Sequence, residues 1–125
     1  MQSRPMRIQD RVEEDVAVVT VSGDLNARPS VLPFHKHIKR LAKNGIGQVV
    51  VDCSNAKWFG AAMLGELVAG LAILKNSGGE MYLAGVPKKV RSILSVTRLE
   101  TTFKNSETVE RALDCIYRKK LSQVA

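Results

Sequence analysis

The spacing of apolar and polar residues divides the chain into short strands and longer helices. Residues 6–12 alternate apolar and polar side chains, residues 16–21 are mostly β-branched, and the acidic residues 13–15 between them indicate a turn. These segments predict an edge hairpin. Three alternations of helix and strand follow, with helices predicted at 31–43, 61–75, 88–97 and 107–120 and strands at 47–53, 80–84 and 101–103.

This order of elements predicts the fold class. Strands that alternate with helices are typical of a mixed, mainly parallel sheet covered by helices. We therefore expect an α/β fold of about five strands and about four helices, in the order ββαβαβαβα. A chain of 125 residues suits one domain, expected at 6–120 with flexible ends at 1–5 and 121–125. Helix ends are indicated by Gly78 and Gly79 after the second helix, Pro87 at the start of the third, and Asn105 or Ser106 before the last.

The helix predicted at 61–75 is apolar on two sides. At about 100° per residue, one stripe is expected to pack on the sheet: Leu64, Leu67, Val68 and Leu71. The opposite side carries a single charge, within the set Ala62, Glu66, Ala69, Gly70 and Ile73. Because exposed helix faces normally carry charge, this side predicts a surface that another protein covers. Self-association and burial by the C-terminal segment are the alternatives.

The chain is strongly basic, with a formal net charge of +7. Five Lys and Arg residues occur in 28–43, no acid occurs between Asp24 and Asp52, and further basic clusters lie at 88–91 and 118–120. A basic surface favours acidic proteins, nucleic acid or anionic membranes. Few aromatic residues are present to stack on bases, so we expect no specific nucleic-acid binding. The alternative is a domain whose positive charge has no role in binding.

Composition also bears on location and redox state. No apolar run reaches about 18 residues and no charged-then-apolar leader begins the chain, so we expect a cytoplasmic protein without a membrane span. Cys53 ends an apolar strand and Cys115 lies in a predicted helix without a His at ligand spacing. Reduced thiols are therefore expected rather than a disulfide or a metal site.

Residues that could support catalysis are few. His35 and His37 lie two apart on a predicted helix and point about 200° apart, so they cannot share a metal and are expected in solvent. Asp24 and Asp52 follow strands, where turn chemistry is favoured over a role as base or ligand. No phosphate-binding glycine loop is present. We expect a binding module that is not an enzyme and holds no cofactor or metal.

Residues 49–67, VVVDCSNAKWFGAAMLGEL, carry a family resemblance. An apolar strand, a polar turn and a small-residue helix start resemble the STAS family, the sulfate transporter and anti-sigma factor antagonist domains, which usually read Asp-Ser-Ser-Gly-Leu-Gly here. When the chain is aligned on Leu64 and Gly65, Gly60 takes the Asp position, Ala61 and Ala62 the two Ser positions, and Met63 the first Gly. Residues 16–25, 78–84, 87–99 and 106–113 match further blocks. Arg98 stands where the family usually has Gly.

The resemblance implies a bacterial signalling module for transcription regulation. In the family, this helix start and the preceding loop dock a kinase-type anti-sigma factor or a related signalling-complex subunit, and phosphorylation of the first Ser weakens docking through added charge. Ala61 has no oxygen to accept phosphate, so we expect no phospho-switch there. Candidate partner-binding residues are Trp58, Gly60, Ala61, Ala62, Met63, Glu66, Ala69, Gly70 and Ile73.

Four points remain open at the level of sequence. STAS domains also serve as small cytoplasmic subunits of lipid-transport ABC systems, and a domain that itself binds nucleotide or lipid is a further possibility. Other hydroxyls could replace the absent acceptor, namely Ser54, Ser92, Ser95 and Thr97. Trp58 either anchors its loop to the core or provides an interface anchor.

Overall fold

The structure is a computed structural model that describes residues 6–25 and 34–124, with the backbone alone for residues 24, 25, 57–59, 100 and 124. The strands are β1 (Arg7–Glu13), β2 (Val16–Leu25), β3 (Gln48–Phe59), β4 (Glu80–Ala84) and β5 (Lys104–Ser106). The helices are α1 (Phe34–Lys43), α2 (Ala61–Asn76), α3 (Lys88–Val96) and α4 (Val109–Val124), with a 3-10 turn at Leu99–Thr101.

The strands form one sheet in the order β1-β2-β3-β4-β5. β1 pairs with β2 antiparallel, and the remaining pairs are parallel. Each parallel connection contains a helix, because parallel neighbours need a crossover. The predicted α/β class, mixed sheet and element order are confirmed.

Both faces of the central strands β2, β3 and β4 are buried, which explains the continuous apolar runs in β2 and β3. On one face, Ala17, Val19 and Val51 pack with α1, α2 and α3 in the larger core. On the other face, Val18 and Val50 pack with α4 in the smaller core. The helical layer formed by α1, α2 and α3 therefore lies opposite α4.

Two strands differ from the predicted bounds. β3 continues past residue 53 to Phe59, because it pairs with β2 as far as Leu25, with register shifts on the way. β5 begins at Lys104 rather than 101, since Leu99–Thr101 form a 3-10 turn and Phe103 is buried just before the strand. Phe103 is buried in the turn before β5, and in the sequence a buried apolar residue in a turn looks the same as one in a strand.

Helix ends follow the sequence in part. α2 ends at Asn76, and the predicted stop follows it: the N–H of Gly78 (φ 82°) donates to the Lys75 carbonyl, and the N–H of Gly79 donates to the Leu74 carbonyl. The predicted cap at Asn105 or Ser106 is wrong: both lie in β5, and the Thr108 hydroxyl accepts the N–H of Arg111 instead. Pro87 is the N-cap of α3 rather than its first residue. α4 continues to Val124, into the segment expected to be a flexible end; residues 1–5 lie outside the described part.

None of the described helices has the length and apolar character needed to cross a bilayer.

Candidate protein-interaction surface

The loop from β3 to α2 presents a helix start without polar side chains. Gly60 is the N-cap in extended conformation (φ −106°, ψ −178°) and supplies no side-chain cap, while its carbonyl accepts the N–H groups of Met63 and Leu64. Ala61 is exposed and Ala62 half-buried. Residues 60–64 contain no hydroxyl group, so no side chain there can accept a phosphoryl group.

The inward face of α2 is set by its contacts with both the sheet and α1. Its buried residues are Met63, Leu67, Gly70, Leu71 and Leu74. A Cβ added at Gly70 would lie 3.1 Å from Met81 Cε and 3.2 Å from Ile38 Cγ1. Gly70 therefore permits close contact between α1, α2 and the sheet, and the expectation that it faces outward is wrong.

The outward face of α2 differs from the predicted one. A stripe of small and aliphatic residues, here called the α2 stripe, is exposed: Ala61, Gly65, Val68 and Ala72. Val68, predicted to pack on the sheet, is 39% exposed. These residues are four, three and four positions apart and share one side of the helix. Over three turns this side carries no charge, whereas the side that the sequence predicted to face outward carries one, Glu66.

Glu66 joins α2 to α1 instead of facing solvent. The backbone N–H of His35 donates to Glu66 Oε1 at 3.1 Å, and His35 Nδ1 lies 2.9 Å from both carboxylate oxygens. His35 is the second residue of α1, so the carboxylate satisfies one of the free N–H groups at that helix start. Glu66 is thus a structural contact between the two helices.

The second histidine is also paired, so the expectation of two solvated histidines is wrong. His37 Nε2 lies 3.2 Å from Asp10 Oδ2 on β1, close enough for an ion pair although not aligned as a hydrogen bond. Arg40 Nη2 donates to His37 Nδ1 at 3.1 Å. The two histidines consequently fix α1 to α2 on one side and to β1 on the other.

Charge is distributed unevenly around the fold. Helices α1, α2 and α3 together carry eight Lys and Arg residues, all exposed, and a single acid, Glu66. α4, across the sheet, carries four basic and two acidic residues. The α2 stripe therefore belongs to a helical layer with a strongly positive potential.

Within β3, beside the register shift in its pairing with β2, Asp52 and Ser54 form local hydrogen bonds. Asp52 Oδ1 accepts both the Ser54 N–H at 3.1 Å and the Ser54 hydroxyl at 2.7 Å. Cys53 is buried, and burial together with the nearby Asp52 charge raises the pKa of its thiol to about 12. Cys115 is exposed on α4, and both cysteines are free thiols.

The nine expected partner-binding residues are thus only partly accessible. Ala61 is exposed, and five others are half-buried: Gly60, Ala62, Glu66, Ala69 and Ile73. Met63 and Gly70 are buried. The side chain of Trp58 lies outside the described residues. Within the described residues, no group of three His, Cys, Asp or Glu side chains could hold a metal ion.

Comparison with protein families tests the resemblance drawn from the sequence. The family model described as "Mlab, STAS domain" matches residues 8–109. The chain belongs to the STAS family. The resemblance drawn from residues 49–67 is confirmed, and the α2 stripe begins at the STAS helix start.

Relatives of this STAS domain include anti-sigma factor antagonists. A Thermotoga maritima protein, named provisionally as an anti-sigma factor antagonist, is 26% identical over 110 residues, covering 87% of this chain and 96% of the relative. The crystal structure of an anti-sigma factor antagonist from Mycobacterium paratuberculosis superposes with a TM-score of 0.79 at 21% identity, covering 90% and 94% of the two chains. The anti-sigma factor antagonist SpoIIAA in its unphosphorylated form gives 0.71 at 13% identity, covering 90% and 97%. These structures share the fold.

Proposed function

We propose that this STAS domain is a non-enzymatic, cytoplasmic interaction module that binds a kinase-type anti-sigma factor through the α2 stripe. The observation that carries the proposal is the uncharged outer face of α2 between Ala61 and Ala72. An exposed helix face of this length normally carries charge, and an apolar one is typical of a surface that a partner covers. The names of the relatives supply the class of partner.

The surroundings of the α2 stripe specify the chemistry of that partner. Small side chains at Ala61, Gly65 and Ala72 allow a partner backbone or aliphatic side chain to approach closely. The eight exposed Lys and Arg residues of the helical layer favour an acidic rim on the partner. We therefore infer a partner with an apolar centre and flanking carboxylates. Of the residues first expected to bind, Gly60, Ala61 and Ala62 remain contacts, while Gly65, Val68 and Ala72 replace Met63 and Gly70.

Binding is tested with the purified anti-sigma factor of the source organism, by calorimetry or through the fluorescence of Trp58, the single Trp of the chain. Val68→Glu and Ala72→Glu each place a charge in the apolar centre, and each is expected to weaken binding at least about tenfold. Leu121→Glu is the matched control, because Leu121 is 72% exposed on α4. Equal affinities for Val68→Glu and Leu121→Glu would exclude the α2 stripe as the contact.

Control by phosphorylation is expected to be absent at the helix start. Incubation with a cognate kinase and ATP should leave the peptide 54–67 unmodified by mass spectrometry, whereas Ala61→Ser should gain one phosphoryl group and lose affinity for the partner. Phosphate on that peptide in the unaltered chain would contradict this part of the proposal and would direct attention to Ser54.

A second candidate is a small STAS subunit of a lipid-transport ABC system. The positive helical layer favours it, since such a subunit works beside an anionic membrane. The same variants separate the two functions. If a purified ATPase subunit binds the chain and Val68→Glu abolishes that binding, while no anti-sigma factor binds, the second candidate replaces the first.

A further inference from the structure

The edge strand β1 is open along its outer side. The sheet ends at β1, whose pairing with β2 uses one edge and leaves the other without a strand partner among the described elements. Apart from half-buried Ile8, every residue of β1 is exposed, and Val12 is 51% exposed. Unpaired N–H and C=O groups along such an edge are a template for another strand.

The sequence of β1, RIQDRVE, is complementary to itself in one antiparallel register. When two copies meet with Asp10 at the two-fold axis, Arg7 of each copy lies opposite Glu13 of the other, and Ile8 lies opposite Val12. Opposite charges and apolar pairs directly across a strand pair are stabilising. A shift of two residues one way places Arg7 opposite Arg11, and a shift the other way places Arg11 opposite itself. Of these three registers, only the one centred on Asp10 places opposite charges and apolar residues across from each other.

We propose that a second copy of this chain pairs with the first through the β1 edge, giving one continuous sheet across the two-fold axis. The pairing satisfies the free backbone groups of both edges and covers the exposed part of Val12. Arg7 and Glu13 lie on the side of the sheet that faces α4, whereas Ile8, Asp10 and Val12 lie on the side of α1.

One contact opposes this association and keeps it weak. Asp10 faces Asp10 of the other copy at the axis, and like charges directly opposite are destabilising. Each carboxylate has a partner on its own chain, since His37 Nε2 lies 3.2 Å away. We therefore expect a dimer that forms at high protein concentration and dissociates on dilution.

Charge reversal tests the register. In sedimentation measurements over a range of concentrations, Arg7→Glu and Glu13→Arg are each expected to raise the dissociation constant of the dimer on the order of tenfold. The double variant restores the opposite-charge pairs and should return to near the unaltered value. Lys89→Glu on α3 makes the same change in net charge as Arg7→Glu, away from the edge strand, and should have no effect. A chain that stays monomeric at the highest soluble concentration, or a dimer indifferent to both single reversals, would overturn the proposal.

Cross-linking gives an independent readout of the same register. With Cys115→Ser removing the exposed thiol, a mixture of Gln9→Cys and Arg11→Cys chains should form disulfide-linked dimers faster than either variant alone, because residues 9 and 11 face each other across the axis. Equal rates in the mixture and in the separate variants would contradict the register. Val68→Glu should leave dimer formation unchanged, which separates the β1 edge from the α2 stripe.

Discussion

At the scale of single residues, Arg98 is the clearest place where this chain departs from a local preference. It follows α3 with φ 61° and ψ 21°, in the left-handed region that favours glycine. Its N–H donates to the Ser95 carbonyl, so the conformation ends the helix. The family usually has Gly at this position, and the backbone geometry gives the physical reason.

Arg98→Gly is therefore expected to stabilise the fold. Relief of the left-handed strain, less the greater entropy of glycine in the unfolded chain, should raise the free energy of unfolding by about 0.5 to 1 kcal/mol. Arg91→Gly, at an exposed right-handed position inside α3, is the matched control and should lower it by about 1 kcal/mol. Urea unfolding measures both. A loss of stability for both variants would mean that the Arg98 side chain contributes more than its conformation costs.

At the scale of the element, the rotation of α2 about its axis decides which residues can meet a partner. Two glycines five positions apart report on that rotation. Gly65 faces open space, with nothing within 4 Å of an added Cβ, whereas Gly70 faces Met81, Ile38 and Phe34. Substitutions at these two sites distinguish the described rotation from the predicted one.

Gly65→Ala is expected to stabilise the protein by about 0.5 to 1 kcal/mol, because alanine is the better helix former and meets no neighbour. Gly70→Val should destabilise it by about 1 to 3 kcal/mol through overpacking against α1 and β4. Thermal and urea unfolding of both variants measure the difference. If Gly70→Val were neutral, α1 would not pack against α2 as described, and the α2 stripe would have to be reassigned.

The existence, type and order of the elements could be predicted from sequence, but this rotation could not. α2 is apolar on nearly every side, so periodicity gave no unique inward face, and the choice depends on how α1 packs against it. Glu66 looked like a solvent charge because its partner, His35, lies 31 positions away. Val68 was predicted to face inward because the apolar residues of α2 fit more than one inward face. By contrast, no inward face had to be assigned for β2 and β3, since both faces of these strands are buried.

At the scale of the whole molecule, the described fold is closed by contacts between its first hairpin and its last helix. Lys120 on α4 hydrogen bonds to Asp15, 105 positions earlier, and the Tyr117 hydroxyl donates to Glu13 Oε2 at 3.3 Å. These side chains are polar and lie at the surface, so no sequence pattern indicated that they meet. They fix α4 beside the β1–β2 turn and across the sheet from the positive helical layer.

The Asp15–Lys120 contact has a measurable signature, because hydrogen bonding to Lys120 lowers the pKa of the Asp15 carboxyl below its ordinary value of 3.8. A carboxyl whose pKa is lowered by folding contributes stability at pH values above the ordinary value, and this contribution is lost as the pH falls through the folded value.

In an NMR titration, Lys120→Ala should return the Asp15 pKa toward 3.8, while Lys119→Ala, which removes a neighbouring charge without that hydrogen bond, should leave it lowered. The contribution to stability should be small, since both side chains are partly in solvent and exposed ion pairs are screened. An Asp15 pKa that is the same in the unaltered chain and in Lys120→Ala would mean that Lys120 does not bind Asp15, and the hydrogen bond from Tyr117 to Glu13 would then be the polar contact that joins α4 to the hairpin.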